Sequence, residues 1–230
     1  IDYITDENIR LVAEISNTQP YLNEGITVLY KLYFRNPISI SDVQELESPS
    51  YGDFWSHLIK IGQVRVNTRG EYKGEPFNEV VWRKVVLYPQ KTGKLDIEPL
   101  SLNLSLSVPS DRRDLFGRRI LTQGQKTISA GRRVINVKSL PKKNQPTDYT
   151  GAVGSFDFDV IIDKNALKAS ESFQAKIKVK GKGNLKLFNL PSINVPNTLE
   201  VYEPEHSENV KISLSGMEGT IEDTYTIVPK

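Results

Sequence analysis

The sequence predicts an all-β fold made of two antiparallel β-sandwich units in tandem. A strand-like alternation of apolar and polar residues from Ile9 to Ile15 occurs again 147 residues later, from Phe156 to Ile162. The same offset then holds without a gap through the next strand of each unit. The side chains predicted to point inward are Ile9, Leu11, Ala13, Ile15, Ile26, Val28, Tyr30 and Leu32 in the first unit, and Phe156, Phe158, Val160, Ile162, Phe173, Ala175, Ile177 and Val179 in the second.

Period-two alternation and an excess of β-branched and aromatic residues predict strands along most of the chain. Only one short segment, from Phe54 to Ile61, fits a helical period, because Phe54, Leu58 and Ile61 could share one face. Turns rich in Gly, Pro, Asn and Ser separate the strands and favour immunoglobulin-like sandwiches. The predicted strands are 9–16, 26–35, 80–88, 95–108, 126–138, 155–163, 173–180, 199–203, 210–215 and 222–228.

A segment of linker composition, Pro141 to Thr147, separates the two predicted domains. The first is an immunoglobulin-like domain with long loops at 1–144, and the second is an immunoglobulin-like domain at 145–230. Because Thr226–Lys230 corresponds to the segment that precedes Lys91–Val108, we expect the second domain to lack its closing strand and to expose a sheet edge. Roughly 20–25 further native residues are expected to raise its melting temperature.

Composition excludes several classes of function. The chain has 30 basic and 28 acidic residues, so its net charge of +2 does not indicate a polyanion partner for the chain as a whole. The absence of cysteine excludes disulfides, thiolate metal sites and a cysteine nucleophile. The two histidines, His57 and His206, lie in different units and not at metal-ligand spacing. We therefore expect a protein that is not an enzyme and needs no metal or cofactor to fold.

Five segments together resemble the BatD, or oxygen-tolerance, family. They are Val85–Leu95, then Val137–Pro141 followed by Gly151–Phe156, and finally Gly181–Leu187 with Val201–Pro204. The resemblance follows the order of the chain over almost its whole length. It identifies the chain as an interior fragment of a member of that family.

The resemblance to this family implies a location, partners and a function, none of which can be inferred from the composition of the chain. Proteins of the family carry an export signal, a series of immunoglobulin-like domains in the periplasm and a C-terminal membrane anchor. They are encoded with MoxR-type ATPases and von Willebrand factor A-domain proteins, and they are linked to aerotolerance and envelope stress. We therefore expect a periplasmic scaffold, anchored to the inner membrane in the full-length protein, whose partners are A-domain membrane proteins and a MoxR-type ATPase system. The family has no established catalytic residues to carry over.

Basic residues concentrate between Arg112 and Lys143, where Asp114 is the only acid. Such a cluster is typical either of a solvated, mobile connection with a long hairpin loop or of a surface that docks an acidic protein or anionic lipid headgroups. Nucleic acid is disfavoured, because Phe116 is the only aromatic residue in the cluster. The candidate partner-binding residues are Arg112, Arg113, Arg118, Arg119, Arg132 and Arg133.

Other motifs have a structural and a functional interpretation. Asp157, Asp159 and Asp163 could bind a cation, but they more simply form a solvated strand face. The lysines at 176, 178 and 180 are of the kind that keeps sheet edges from pairing. The glycine segments at 181–184, 151–154 and 91–94 predict tight backbone geometry, the last of them a hairpin turn, rather than phosphate binding.

A carbohydrate-binding accessory module is the alternative function. It would present a planar strip of exposed aromatic side chains. The candidates are Tyr51, Phe54, Trp55, Tyr72 and Trp82.

Overall fold

A computed structural model describes residues 3–230, and in this range every regular element is a β-strand. No helix able to cross a membrane occurs in the same range. The chain divides into two compact units, one formed by the residues up to Pro20 with Ile26–Lys138, the other by Tyr21–Gly25 with Ser139–Lys230. The all-β sandwich class predicted from the sequence is confirmed.

The described part of the first unit contains ten strands in two layers. Its five-stranded sheet has the order β1-β2-β6-β4, and β5 also pairs with β6; β3-β8-β9 and β10-β7 form the remaining sheets. All of these pairs are antiparallel. The strands are β1 (Ile9–Ile15), β2 (Ile26–Phe34), β3 (Ser39–Glu47), β4 (Phe54–Ile59), β5 (Asn67–Tyr72), β6 (Glu75–Pro89), β7 (Gly93–Ile97), β8 (Ser101–Arg113), β9 (Arg119–Ser129) and β10 (Arg133–Val137).

Alternating side chains of both layers form the core of the first unit. Val28 on β2 and Val85 on β6 are fully buried. On β8 every second residue from Leu102 to Val108 is buried as well. Leucine or valine alternates with a polar residue here, and successive side chains of a strand point to opposite faces. Burying these apolar side chains supplies most of the stabilisation of a sandwich of this size.

The second unit repeats the pairing of the first sheet. Its strands have the order β11-β12-β15-β13, with β14 also paired to β15, which reproduces the order β1-β2-β6-β4 with β5 on β6. The 147-residue repeat is therefore confirmed at the level of topology. The strands are β11 (Gly154–Ile162), β12 (Phe173–Gly183), β13 (Leu199–Val201), β14 (Glu205–Ser213) and β15 (Gly216–Pro229).

The core of the second unit lies on one face of this sheet. Ala175, Ile177 and Val179 on β12 are buried together with Ile221 and Ile227 on β15. The irregular segment after β12 packs against them through Leu185 and Leu190, both buried. A strand-free segment thus covers part of the face that a second sheet covers in the first unit.

Several predicted elements differ from the structure. The one segment that fits a helical period, Phe54 to Ile61, is not a helix: Phe54–Ile59 forms β4, which pairs with β6. The predicted strand 95–108 is two strands, because Pro99 has no amide hydrogen to donate to a ladder. The predicted strand 126–138 is also two, separated by Gly131 at a φ of 70°.

The turn at 91–94 has the predicted backbone conformation but does not make the predicted hairpin. Gly93 has the positive φ expected of it, 93°. The turn does not close a hairpin, however, because β6 pairs within the five-stranded sheet and β7 pairs with β10. The chain crosses here from one layer to the other.

Candidate functional site

Four of the six predicted arginines lie together at the end of the β8–β9 hairpin. The two strands pair from Ser101 opposite Ser129 out to Arg113 opposite Arg119. Beyond Val108 the side chains of this hairpin are exposed or half-buried, so its end projects from the core. We call residues 112–119 the arginine tip; its arginines are Arg112, Arg113, Arg118 and Arg119.

Asp114 organises the turn of the arginine tip. Its Oδ1 accepts hydrogen bonds from the backbone amides of Phe116 and Arg118 at 2.8 and 2.9 Å, and its Oδ2 accepts one from Arg118 Nε at 3.0 Å. The backbone amide of Arg118, followed by that of Phe116 and the Arg118 side chain, lowers the pKa of the Asp114 carboxyl. Gly117 takes a φ of 77°, and its carbonyl accepts a hydrogen bond from Arg113 Nη1 at 2.7 Å. The tip is therefore an ordered turn.

Two apolar side chains stand at the apex of this turn. Leu115 is 101% exposed and Phe116 is 82% exposed, although both are large and hydrophobic. Further back on β9, Ile120 and Leu121 are also exposed. The charge pattern of the sequence indicates the arginines but not this apolar apex; the signal for the apex is the Leu115-Phe116 pair at the centre of the arginine cluster.

Arg132 and Arg133 lie elsewhere. They follow the far end of β9, an 11-residue strand that spans about 35 Å. Arg132 pairs with Asp96 at 2.6 Å, and Arg133 Nη1 donates a hydrogen bond to the Ala13 carbonyl at 2.7 Å. These two arginines stabilise the sandwich and do not share a surface with the arginine tip.

A second candidate surface is an apolar face that the second unit leaves uncovered. In the first unit Ile9, Leu11 and Ala13 of β1 are buried, as predicted. On β11 the prediction is confirmed for Phe156, which is partly buried against the core, but the burial expected of the next three positions is not found: Phe158, Val160 and Ile162 are 55%, 53% and 57% exposed. We call these three residues the open face.

Register shows that the open face belongs to the core side of the sheet. Phe158 lies opposite Val179, Val160 opposite Ile177, and Ile162 opposite Ala175. Opposite residues in an antiparallel pair point to the same side. The buried face of β12 therefore continues onto β11, where it meets solvent.

In the first unit, strands of the second layer close the corresponding edge. Besides the bond from Arg133 to Ala13, the amides of Asn136 and Lys138 donate to the carbonyls of Thr18 and Pro20, just after β1, at 2.8 Å each. In the described part of the second unit, β11 pairs only with β12. Both the backbone edge and the apolar side chains of β11 are thus available to an incoming strand.

The other face of β11 and β12 is charged. Asp157 lies opposite Lys180, and Asp159 opposite Lys178, while Glu222 on β15 lies 3.5 Å from Lys176 and 3.8 Å from Lys178. This arrangement favours a solvated face over a cation site. The edge-protecting role predicted for the lysines is wrong, because β12 is an interior strand of its sheet.

The two glycine segments of the second unit meet around Asn184. The Asn184 side chain is fully buried; its Oδ1 accepts from the Val153 amide at 2.8 Å and its Nδ2 donates to the Gly151 carbonyl at 2.9 Å. The structural role predicted for both segments is confirmed, since the amide side chain binds the segment 151–153 to the end of β12.

The two histidines have different surroundings. The His57 ring stacks on Trp55, with centroids 6.1 Å apart and planes 7° apart. His206 on β14 lies between two carboxylates, with Nδ1 2.6 Å from Asp223 Oδ1 and Nε2 3.3 Å from Glu208 Oε1. The hydrogen bond with Asp223, and then that with Glu208, raises the pKa of His206 above its ordinary value of 6.5 against a smaller opposing effect of burial.

The raised pKa of His206 predicts a pH dependence of the β14–β15 pairing. Because protonation is favoured in the folded state, the stabilisation is complete below pH 6.5 and is lost as the pH rises through the folded pKa. We expect hydrogen-exchange protection factors of β14 amides to be higher at pH 6 than at pH 8.5. His206→Gln should remove this difference, and an unchanged pH dependence in that variant would contradict the assignment.

One known family is similar in sequence to most of the second unit. Residues 160–230 match the family model described as the BatD DUF11 like domain. No curated protein matches the chain. The matched range runs from Val160 on β11 to the end of β15 and includes the Gly181–Leu187 and Val201–Pro204 motifs. Most of the second unit is therefore similar to the BatD DUF11 like domain, as the resemblance of those motifs indicated.

Proposed function

We propose that the chain is a non-catalytic, extracytoplasmic interaction module of a membrane-anchored aerotolerance or envelope-stress complex. The proposed partners are von Willebrand factor A-domain membrane proteins that work with a MoxR-type ATPase system. The matched BatD domain supports the biological setting. The open face supports the mode of action.

The open face carries the proposal because it is an apolar surface beside an unpaired strand. Three large side chains, more than half exposed, lie next to the free backbone edge of β11. A partner strand that added to this edge would gain main-chain hydrogen bonds and would bury the alternate side chains of the open face. Scaffold proteins commonly bind extended segments in this way.

The alternative, a carbohydrate-binding module, has less support. Its planar strip of exposed aromatics is not formed: Tyr51 and Phe54 are buried, and Trp55, Tyr72 and Trp82 are only partly exposed. The Tyr51 hydroxyl also contacts the buried Tyr30 hydroxyl at 3.3 Å. Trp82 donates its indole hydrogen to Glu45 on β3 at 2.9 Å.

Site-specific crosslinking tests the proposed function. The chain contains no cysteine, so Val160→Cys introduces a single attachment point for a benzophenone probe on the open face. Irradiation in envelope extract is expected to give an adduct with an A-domain protein, identified by mass spectrometry.

A neighbouring residue supplies the matched control. Ile161 is 50% exposed, almost as much as Val160, but it lies on the charged face of the same strand. The adduct should be absent, or at least tenfold weaker, when the probe is attached through Ile161→Cys. Equal yields at the two positions, or no A-domain adduct at position 160, would show that the proposed function is wrong.

A further inference from the structure

We propose that the arginine tip is a membrane-binding element that docks on anionic lipid headgroups and inserts its apolar apex between them. The surface is distinct from the open face and lies in the first unit. Three features of the tip support this assignment: the exposure of the apex, the position of the arginines behind it, and the repulsion among these arginines, which acidic residues neutralise only in part.

The apex has the chemistry of a shallow membrane anchor. Leu115 and Phe116 are held outward by a turn that Asp114 and Gly117 fix, so the ordered backbone itself directs them away from the core. Exposing two large apolar side chains to water is unfavourable. The guanidinium carbon of Arg118 lies 5.5 Å from the centroid of the Phe116 ring, but this contact leaves most of the ring in water. An acyl-chain boundary is an environment in which both side chains would be buried without any matching protein pocket.

The arginines lie at the depth that headgroups would occupy. Arg113 and Arg119 lie opposite each other across the hairpin. Arg113 is two residues before Leu115 and Arg119 is three residues after Phe116, which corresponds to at most about 7–10 Å of extended chain. Interfacial elements bury their apolar side by about 5–10 Å, with cations at the level of the lipid phosphates. The order from apex to base is thus apolar and then cationic, as an anionic membrane surface requires.

The charges of the tip are only partly neutralised by the protein. Within the described residues, Arg118 pairs with Asp114, whereas the guanidinium groups of Arg112 and Arg119 form no hydrogen bond or ion pair. The directly opposed pair of Arg113 and Arg119 is a like-charge pair, which destabilises a hairpin. Lipid phosphates would remove this repulsion and use the free donors.

An acidic protein surface would satisfy the arginines but not the apex. It would have to supply a hydrophobic pocket for Leu115 and Phe116 between its carboxylates. A lipid surface provides both environments at once, so we assign the tip to lipid.

Vesicle binding by the whole chain tests the assignment. We expect sedimentation with vesicles of phosphatidylcholine containing 30% phosphatidylglycerol, little binding to pure phosphatidylcholine vesicles, and weaker binding at high salt. Arg112→Gln with Arg119→Gln should weaken binding about fivefold for each arginine removed. The charge-matched control is Lys142→Gln with Lys143→Gln, in the segment between β10 and β11. Its affinity for the vesicles should stay within twofold of that of the wild-type chain.

Insertion of the apex needs a separate readout. Because the chain lacks cysteine, Phe116→Cys can be labelled with an environment-sensitive dye, and its emission should shift to the blue on addition of the anionic vesicles. The same dye on Leu214→Cys, at the arginine-free β14–β15 turn, should not respond. Leu115→Ser with Phe116→Ser should reduce vesicle binding at least tenfold.

Three results would overturn the proposal. They are failure of the wild-type chain to bind the anionic vesicles, undiminished binding by the Leu115→Ser, Phe116→Ser variant, and an absent dye response at position 116. Binding to polyglutamate together with an absent dye response would assign the tip to an acidic protein instead.

Discussion

Leu11→Ala is expected to destabilise the first unit by about 2–5 kcal/mol, whereas the equivalent change in the second unit, Phe158→Ala, should cost about 1 kcal/mol or less. The two residues are related by the internal repeat and lie at corresponding positions of the edge strands β1 and β11. Leu11 is 5% exposed and Phe158 is 55% exposed, so alanine leaves a cavity only at the first position.

The two units can be followed separately in the intact chain. Both tryptophans, Trp55 and Trp82, belong to the first unit, so tryptophan fluorescence during urea unfolding reports Leu11→Ala. Hydrogen exchange of β12 amides reports Phe158→Ala. Equal losses of stability at the two positions would mean that the open face is covered in solution. That result would contradict the proposed binding of a partner strand to the open face.

Gly181→Ala is expected to destabilise the second unit by about 3 kcal/mol or more. Gly181 has a φ of 159°, and a Cβ atom there would lie 2.1 Å from the Ser155 carbonyl oxygen on β11 and 2.9 Å from Phe156 Cα. Both obstacles are backbone atoms of a paired strand, which cannot move without breaking the ladder. Loss of hydrogen-exchange protection across β11 and β12 is the measurement.

Gly62→Ala provides the control for this substitution. A Cβ atom at Gly62 would have no neighbour within 4 Å, so the change in unfolding free energy should be within about 0.5 kcal/mol. If Gly181→Ala were as mild as Gly62→Ala, the close approach of β11 to β12 would not exist in solution.

The fold could be predicted where strands alternate strictly between apolar and polar residues. The pairs β1–β2 and β11–β12 have that pattern, and the offset of 147 residues between them in the sequence is also the offset between their equivalent positions in the structure. By contrast β3 is mostly polar and exposed, with only Ile40 and Val43 partly buried on its apolar positions, so period-two alternation could not reveal it. The segment from Phe54 fits both periods in a short window, and pairing with β6 decided in favour of a strand.

The candidate site was predictable only in part, for geometric reasons. The arginines of the tip are close in sequence and also close in space because a tight turn joins them. Arg132 and Arg133 are also close in sequence to the cluster, but an extended strand carries them about 35 Å away. The open face could not be found by alternation, because the pattern of Phe158 and Val160 shows which side they occupy and not whether a second layer covers that side.

The paired glycines of the second unit have a consequence for strand register. On the charged face, a shift of β11 by two residues would still place Asp157 and Asp159 opposite lysines, since lysine occupies positions 176, 178, 180 and 182. The charge ladder therefore does not distinguish the native alignment from its nearest competitor. The glycines do, because only the native alignment sets Phe156 opposite Gly181 and Gly154 opposite Gly183. The charges thus attract the two strands, and the missing Cβ atoms select which alignment persists.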